Sequence, residues 1–229
     1  AAITRECARA YPDVVIVGNL HSVGWPLSLM AELTKLGALV VAYMHDCHLF
    51  TGRCAYPGAC EQHLTGCTPS CSTAHCKPVL APELIPGAWA YRRKIFCGTN
   101  GIPIATNSVW MLEQLRRSMP EVHHADVVHL ALDERVFKPD DQARARDVLG
   151  IPKDKRVVLG GAVDMEDPRK GADLLRGLIE RLRGEAHFVV FGHASEQLEG
   201  VQPFPYSQAP ARAAVLNQAA DVFVGTSRE

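Results

Sequence analysis

Short apolar runs alternate with helix-type patterns along most of the sequence, and this alternation constrains the fold more than any other feature. Runs such as 14–17 and 39–44 have the length of strands and are almost continuously apolar. Segment 171–183 instead repeats apolar residues every three or four positions, as an amphipathic helix does. Near-continuous apolar strands separated by helices are typical of parallel sheets that are covered on both faces. We therefore predict an α/β fold.

The strand–helix pattern occurs in two series, which predicts two Rossmann-like lobes. The predicted strands are 14–17, 39–44, 102–106, 126–130, 156–159, 187–191 and 221–224. A polar stretch after Phe137 separates the series, giving a first lobe at 1–137, with a Cys-rich insertion at 47–87, and a second lobe at 138–229. Because parallel strands carry functional loops at their carboxyl ends, we expect a binding cleft between the lobes.

The two ends of the sequence favour a fragment. The chain begins at Ala1 without Met, in a segment typical of the tail of an amphipathic helix, and it ends at Glu229 just after the strand-like run 221–224. A buried strand usually leads into another element. We therefore expect both lobes to be incomplete.

Charge and hydropathy limit the partners. The formal net charge is −1, which gives no general attraction to nucleic acid. No stretch approaches the roughly 18 uninterrupted apolar residues of a membrane span. We expect no nucleic-acid partner and no spanning helix, and peripheral association with a membrane stays open.

A pair of cations, Arg169 and Lys170, directly precedes the helical segment 171–183. Upstream, Gly160 and Gly161 follow a predicted strand and permit close approach of a ligand to the backbone. Arg offers a planar fork to phosphate oxygens and Lys a point charge, next to the free N–H groups of a helix start. This pattern favours a diphosphate site. A solvated basic pair is the alternative, although cations at a helix N-terminus are unfavourable unless an anion joins them.

Two further positions carry open alternatives. His45 follows strand 39–44, where it fits either a binding role at a strand end or an ordinary core or capping role. Asp46 fits orientation of His45, which we favour, or capping of the next loop. Arg92, Arg93 and Lys94 fit a basic rim of the cleft or, as we prefer, a solvated helix face.

Five cysteines cluster in the long loop of the first lobe. They are Cys54, Cys60, Cys67, Cys71 and Cys76. Four thiolates around a structural zinc ion would hold together a loop that is too long to fold by itself, and we favour this interpretation. Disulfides and free thiols are the alternatives, and disulfides would need an oxidising compartment.

Several segments together resemble the retaining glycosyltransferases of family 4, which have the GT-B fold. Segment 160–171 is similar to the strand–loop–Arg-Lys-Gly segment of that family. Segment 44–60 resembles a subgroup signature of His-Asp, Phe-Thr-Gly, Cys, Tyr-Pro and Cys. The other similar segments are Asn107-Ser108-Val109-Trp110, 188–192 and 220–224.

The resemblance implies a donor site, an activity and a compartment. It implies that Arg169 and Lys170 hold the diphosphate of a UDP- or GDP-sugar and that His45 faces the donor sugar. Gly161, Gly192 and Glu229 complete the donor-binding set. The sugar would pass to a hydroxyl acceptor, such as a glycan in polysaccharide biosynthesis, with retention and without a catalytic metal, in the cytoplasm or at the inner face of the membrane.

The resemblance also extends to the cysteines, but this sequence differs from the family pattern at two places. The subgroup's four cysteines correspond to Cys54, Cys60, Cys67 and Cys71, which implies a structural metal site. The family's Pro-Asn-Gly before the linker is replaced by 129–133, and the family's paired glutamates would begin at or beyond Glu229. A nucleotide-sugar epimerase of the same fold, or a non-catalytic zinc-stapled binding fragment, are the alternatives.

Overall fold

The computed structural model describes residues 2–73 and 77–228, which form two compact units, 1–130 and 131–229. The elements of the first unit are α1 (Ala2–Ala10), β1 (Val14–Val17), α2 (Ser28–Thr34), β2 (Leu39–Met44), α3 (Gln62–Thr65), α4 (Ile85–Phe96), β3 (Ile104–Thr106), α5 (Val109–Ser118) and β4 (Ala125–Val127). Those of the second unit are α6 (Gln142–Leu149), β5 (Arg156–Asp164), α7 (Ala172–Arg181), β6 (Ala186–His193), β7 (Val201–Phe204), α8 (Pro210–Ala219) and β8 (Val222–Val224).

Each unit is built on one four-stranded parallel sheet. The strand order is β1-β2-β3-β4 in the first unit and β7-β6-β5-β8 in the second, and every pairing is parallel. Parallel neighbours need a crossover. α-Helices supply the crossovers except between β6 and β7, where segment 194–200 contains a 3₁₀ turn, Ser195–Gln197. The predicted α/β class with two Rossmann-like lobes is therefore confirmed.

The first core lies around β2, whose residues Val40, Ala42 and Met44 are all buried. Met30 and Leu33 of α2 pack in the same cluster, because α2 follows β1 and returns to the face of the sheet. Burying one Leu or Met side chain contributes about 1.5–3 kcal/mol, so this cluster is a main source of stability for the unit.

In the second unit an ion pair joins the buried Arg146 of α6 to Asp221, which directly precedes β8. Arg146 donates to Asp221 Oδ2 at 2.9 Å and to the carbonyl of Ala219 at 2.9 Å. Asp221 Oδ2 also accepts the Val157 N–H at 2.7 Å. One guanidinium and one carboxylate thus tie α6, α8 and β5 together. Removal of Asp221 would leave the buried charge of Arg146 uncompensated, so this carboxylate is needed.

Two parts of the second sheet differ from the sequence prediction. β5 does not end at Leu159 but continues through Gly160 and Gly161 to Asp164. β7 is absent from the predicted strands, and it contains Pro203 although proline is unusual inside a sheet. The structure resolves this conflict, because β7 is an edge strand and an edge position tolerates a missing N–H.

Gly161 and Gly192 allow β5 and β6 to approach closely where their register shifts. Both have positive φ, +147° and +126°. A Cβ on Gly192 would lie 2.0 Å from the Ala162 carbonyl oxygen, and one on Gly161 would lie 2.3 Å from the Phe191 carbonyl oxygen. These two glycines, predicted as donor-binding residues, therefore have a structural role in the sheet.

The substitution Gly192→Ala tests this role. We expect it to destabilise the second unit by about 3 kcal/mol, because it combines a disfavoured φ with a backbone clash. The measurement is urea unfolding followed by far-UV circular dichroism.

Gly177→Ala is the matched control, since Gly177 lies within α7 and an added Cβ meets nothing within 4 Å. This change should increase the free energy of unfolding of the second unit by about 1 kcal/mol, because alanine is a better helix former than glycine. Equal stability of Gly192→Ala and the wild-type chain would contradict the close-approach account.

Candidate functional site

The predicted cation pair lies at the carboxyl end of β5. After Asp164 the chain leads into a 3₁₀ turn, Pro168–Lys170, and Gly171 with φ +64° connects that turn to α7. The side chain of Arg169 is 36% exposed, and Lys170 is half-buried. Both cations therefore stand at the sheet edge where ligands bind in open α/β folds.

Arg169 already holds a carboxylate. Its Nε donates to Asp167 Oδ1 at 3.1 Å and its Nη2 to Asp167 Oδ2 at 2.5 Å. Asp167 Oδ1 also accepts the Arg169 N–H at 3.0 Å. Burial alone would raise the pKa of Asp167, but the hydrogen bonds from Arg169 outweigh burial and lower this pKa below its usual value. The fork of Arg169 is thus engaged by an anion from its own loop, in the bidentate geometry that phosphate oxygens also use.

The neighbouring strands bring an aromatic pair to the same edge of the sheet. His193 ends β6 directly after Gly192, and its ring lies 5.5 Å from the ring of Tyr206, which follows β7. These two rings were not singled out from the sequence, because Tyr206 follows a strand that the sequence did not predict. Glu229 lies outside the described residues.

In the first unit, His45 is exposed at the carboxyl end of β2. Its ring contacts Tyr43 edge-on, with centroids 4.9 Å apart, and Tyr43 donates its hydroxyl to the Val128 carbonyl at 2.7 Å. A Cβ on Gly18, just after β1, would lie 3.6 Å from His45 Nε2. The imidazole is thus placed beside a glycine at the ends of two adjacent strands, a position open to a ligand.

Asp46 caps the loop that follows. Its Oδ1 accepts the His48 N–H at 3.0 Å, and its Oδ2 lies 3.2 Å from His21 Nε2. The described contacts of Asp46 therefore fit the capping role, one of the two alternatives, and a bond to His45 is not among them. His21 was missed by sequence reasoning because it lies 25 positions before its partner.

Arg92 corrects a sequence expectation, since it lies neither on a solvated helix face nor on a basic rim. It is 6% exposed and donates to the carbonyls of His48, Gly52 and Ala88 at 2.8–3.2 Å. It also donates to His48 Nε2 at 3.0 Å. Burial, with the charge of Arg92, lowers the pKa of His48 to about 2, so this imidazole is neutral and free to accept. Arg92 therefore fastens the Cys-rich loop to α4.

The four cysteines predicted as metal ligands are close enough for their charges to interact. The pKa of Cys67 is raised to about 11, mainly by burial, with a smaller contribution in the same direction from negative charge on Cys54, Cys60 and Cys71. The Gly52 N–H donates to Cys67 Sγ at 3.1 Å, which acts in the opposite direction. At Cys71 burial is outweighed by hydrogen bonds from Thr73 and Arg53, which lower its pKa.

The described residues give the zinc prediction no support. Among residues 2–73 and 77–228, no group of three or more His, Cys, Asp and Glu side chains is arranged to hold a metal ion. The four cysteines are free thiols there. Cys76, the fifth cysteine of the cluster, and His75 lie outside the described residues.

Comparison with solved structures identifies the class of fold. Sucrose-phosphate synthase from Thermosynechococcus elongatus matches with a TM-score of 0.62 at 15% identity, over 99% of this chain and 53% of the synthase. HepE from Anabaena, in complex with UDP-glucose, matches with a TM-score of 0.62 at 12% identity, over 99% of this chain and 56% of HepE. A glycosyltransferase from Rickettsia africae matches with a TM-score of 0.61 at 12% identity, over 100% of this chain and 55% of its own. These likenesses show a shared fold, and the chain spans about half the length of these proteins.

A curated protein matches in sequence over a shorter segment. The relative is D-inositol 3-phosphate glycosyltransferase of Mycolicibacterium paratuberculosis (strain ATCC BAA-968 / K-10), to which the chain is 37% identical over 84 residues. The matched segment covers 34% of this chain and 18% of the relative. No family model matches the chain. No helix in the described part of the chain is long and apolar enough to cross a membrane.

The thiol environments predict an order of alkylation. Iodoacetamide at pH 8 should modify Cys71 well before Cys67, because a lowered pKa gives more thiolate and burial with a pKa of about 11 gives little. Timed alkylation followed by peptide mass spectrometry measures both rates. Thr73→Val should slow the alkylation of Cys71, since it removes a hydroxyl that lies 3.5 Å from the Cys71 sulfur. If all four cysteines resist alkylation until a chelator is added, the predicted order of reaction would be wrong and a bound zinc ion would be supported.

Proposed function

We propose that the chain is part of a glycosyltransferase that moves a hexose-type sugar from a UDP- or GDP-sugar to a hydroxyl acceptor, with retention. The observation that carries the proposal is the position of Arg169 and Lys170 at the carboxyl edge of a parallel sheet, beside the start of α7. The fold shared with HepE, whose structure holds UDP-glucose, supports a nucleotide-sugar donor. The 84-residue match to an inositol phosphate glycosyltransferase supports sugar transfer.

In this proposal the cation pair stabilises the leaving nucleotide. As the bond to the sugar breaks, negative charge grows on the diphosphate, and fixed cations in a site that excludes water stabilise that charge. Arg169 offers two parallel N–H donors to phosphate oxygens and Lys170 adds a second positive charge. The diphosphate would replace Asp167 at the guanidinium, so that Arg169 exchanges one anionic partner for another.

His45 would orient the donor sugar. Its exposed ring lies at the carboxyl end of β2, beside Gly18, where a sugar hydroxyl can approach Nε2. Residues 1–137 would be the acceptor-side lobe and 138–229 the donor-side lobe, with Gly161, Gly192 and Glu229 near the donor. The proposed reaction uses no catalytic metal. It would be a step of glycan or polysaccharide synthesis, in the cytoplasm or at the inner face of the membrane.

Titration calorimetry with UDP and GDP tests the donor site. We expect the wild-type chain to bind one of them, and Arg169→Ala to weaken that binding by about 10- to 100-fold, the loss of a charge-assisted hydrogen-bond pair. Arg212→Ala is the control, since Arg212 is an exposed cation on α8. Equal affinity of the wild-type chain and Arg169→Ala would contradict the assigned site. Epimerised sugar nucleotide formed without an acceptor would favour the epimerase instead.

Asp167→Asn should strengthen nucleotide binding, by up to about tenfold. The amide oxygen still caps the turn but no longer competes as an anion for Arg169. Asp154→Asn, an equal change of charge at an exposed position, should have little effect. Calorimetry with the same nucleotide measures both, and weaker binding by Asp167→Asn would show that Asp167 supports the site instead of competing with the phosphate.

A further inference from the structure

The turn that carries the cation pair is hydrogen-bonded to residues 226–228, which follow β8. We call residues 226–228 the strap. Each of the three carbonyls of Pro168–Lys170 accepts a hydrogen bond from it. Arg228 Nη1 donates to the Pro168 carbonyl at 3.0 Å, and the Arg228 N–H donates to the Arg169 carbonyl at 2.7 Å. Thr226 Oγ1 donates to the Lys170 carbonyl at 2.8 Å.

Arg228 also joins the turn to the helix behind it. Its Nη1 and Nη2 donate to the two carboxylate oxygens of Asp173 at 2.9 and 2.6 Å. Asp173 lies in the first turn of α7, where a carboxylate is favoured by the helix dipole. The guanidinium therefore bridges the first carbonyl of the turn and the first turn of α7.

The strap also packs closely against Gly171, which joins the turn to α7. A Cβ on Gly171 would lie 2.2 Å from the Thr226 carbonyl oxygen, and Gly171 has φ +64°. Only glycine therefore fits at the junction between the turn and α7. This contact places the strap against the turn independently of the Arg228 side chain.

The hydrogen bonds fix the direction of the turn's carbonyls. A carbonyl that accepts from the strap points toward the strap, and an anion avoids carbonyl oxygens. With all three carbonyls engaged on the strap, the turn presents the side chains of Arg169 and Lys170 without a competing carbonyl. A preorganised donor set binds more tightly, because the ordering cost is met before the ligand arrives.

We infer that the strap positions Arg169 and Lys170 for a phosphate-bearing ligand and that Arg228 is its positioning residue. Arg228 acts through the turn and not by touching the ligand. The ligand part of this inference rests on the proposed function, whereas the hold of the strap on the turn does not.

Amide hydrogen exchange on the ligand-free chain tests the hold of the strap. In Arg228→Ala the amides of Arg169, Lys170 and Gly171 should exchange several-fold faster than in the wild-type chain, because local opening becomes easier. Arg212→Ala should leave these rates unchanged. Arg228→Lys should give intermediate rates, since lysine keeps the positive charge but lacks the planar fork that pairs with both Asp173 oxygens. Unchanged exchange of these amides in Arg228→Ala would overturn the inference.

A double-mutant cycle measured by UDP calorimetry tests the route of action. Arg228→Ala should weaken UDP binding several-fold in the wild-type background but have little further effect when Arg169 and Lys170 are both alanine. An equal effect in both backgrounds would show that Arg228 contacts the ligand itself and would overturn the positioning role. If the wild-type chain binds neither UDP nor GDP, the proposed function fails, and the exchange rates alone decide whether the strap holds the turn.

Discussion

Parallel strand pairing is the constraint on which the rest of this structure depends. Every pairing in both sheets is parallel, so the carboxyl ends of the strands in each unit meet at one edge. Loops that are distant in sequence are therefore brought together there. In the first unit this places Gly18 beside His45, and in the second it places the turn at Pro168–Lys170 beside the segment after β8. The direction of the strands therefore determines which loops lie together at the carboxyl edge of each sheet.

At the carboxyl edge of the second sheet, carboxylates offset the positive charge of the cations. Two cations before a helix are unfavourable by themselves, because the helix N-terminus is already positive. Asp167 offsets this cost at Arg169, and Asp173 does the same for Arg228. Asp167 lies in the same loop as Arg169, whereas Asp173 contacts Arg228 from the first turn of α7. The positive charge is therefore kept in place without a ligand. An incoming phosphate would then exchange with a carboxylate, which explains how such a site remains folded when empty.

The elements defined by a regular local pattern could be predicted from the sequence, whereas those set by distant partners could not. α7 is an element of the first kind, because its apolar period predicts a helix over 171–183 and the structure has it at Ala172–Arg181. β5 was predicted too short, since glycines usually end a strand, and here Gly161 serves the close approach of β6. Arg92 was assigned to a solvated face because its carbonyl partners lie up to 44 residues away along the chain.

We propose that the carboxyl edge of the second sheet binds the diphosphate of a nucleotide. A crystal structure of the chain with UDP would test this proposal. We expect the diphosphate to lie within hydrogen-bond distance of Arg169 and Lys170, with the Arg169–Asp167 ion pair opened. A UDP molecule bound elsewhere, with that ion pair intact, would rule out the proposed site.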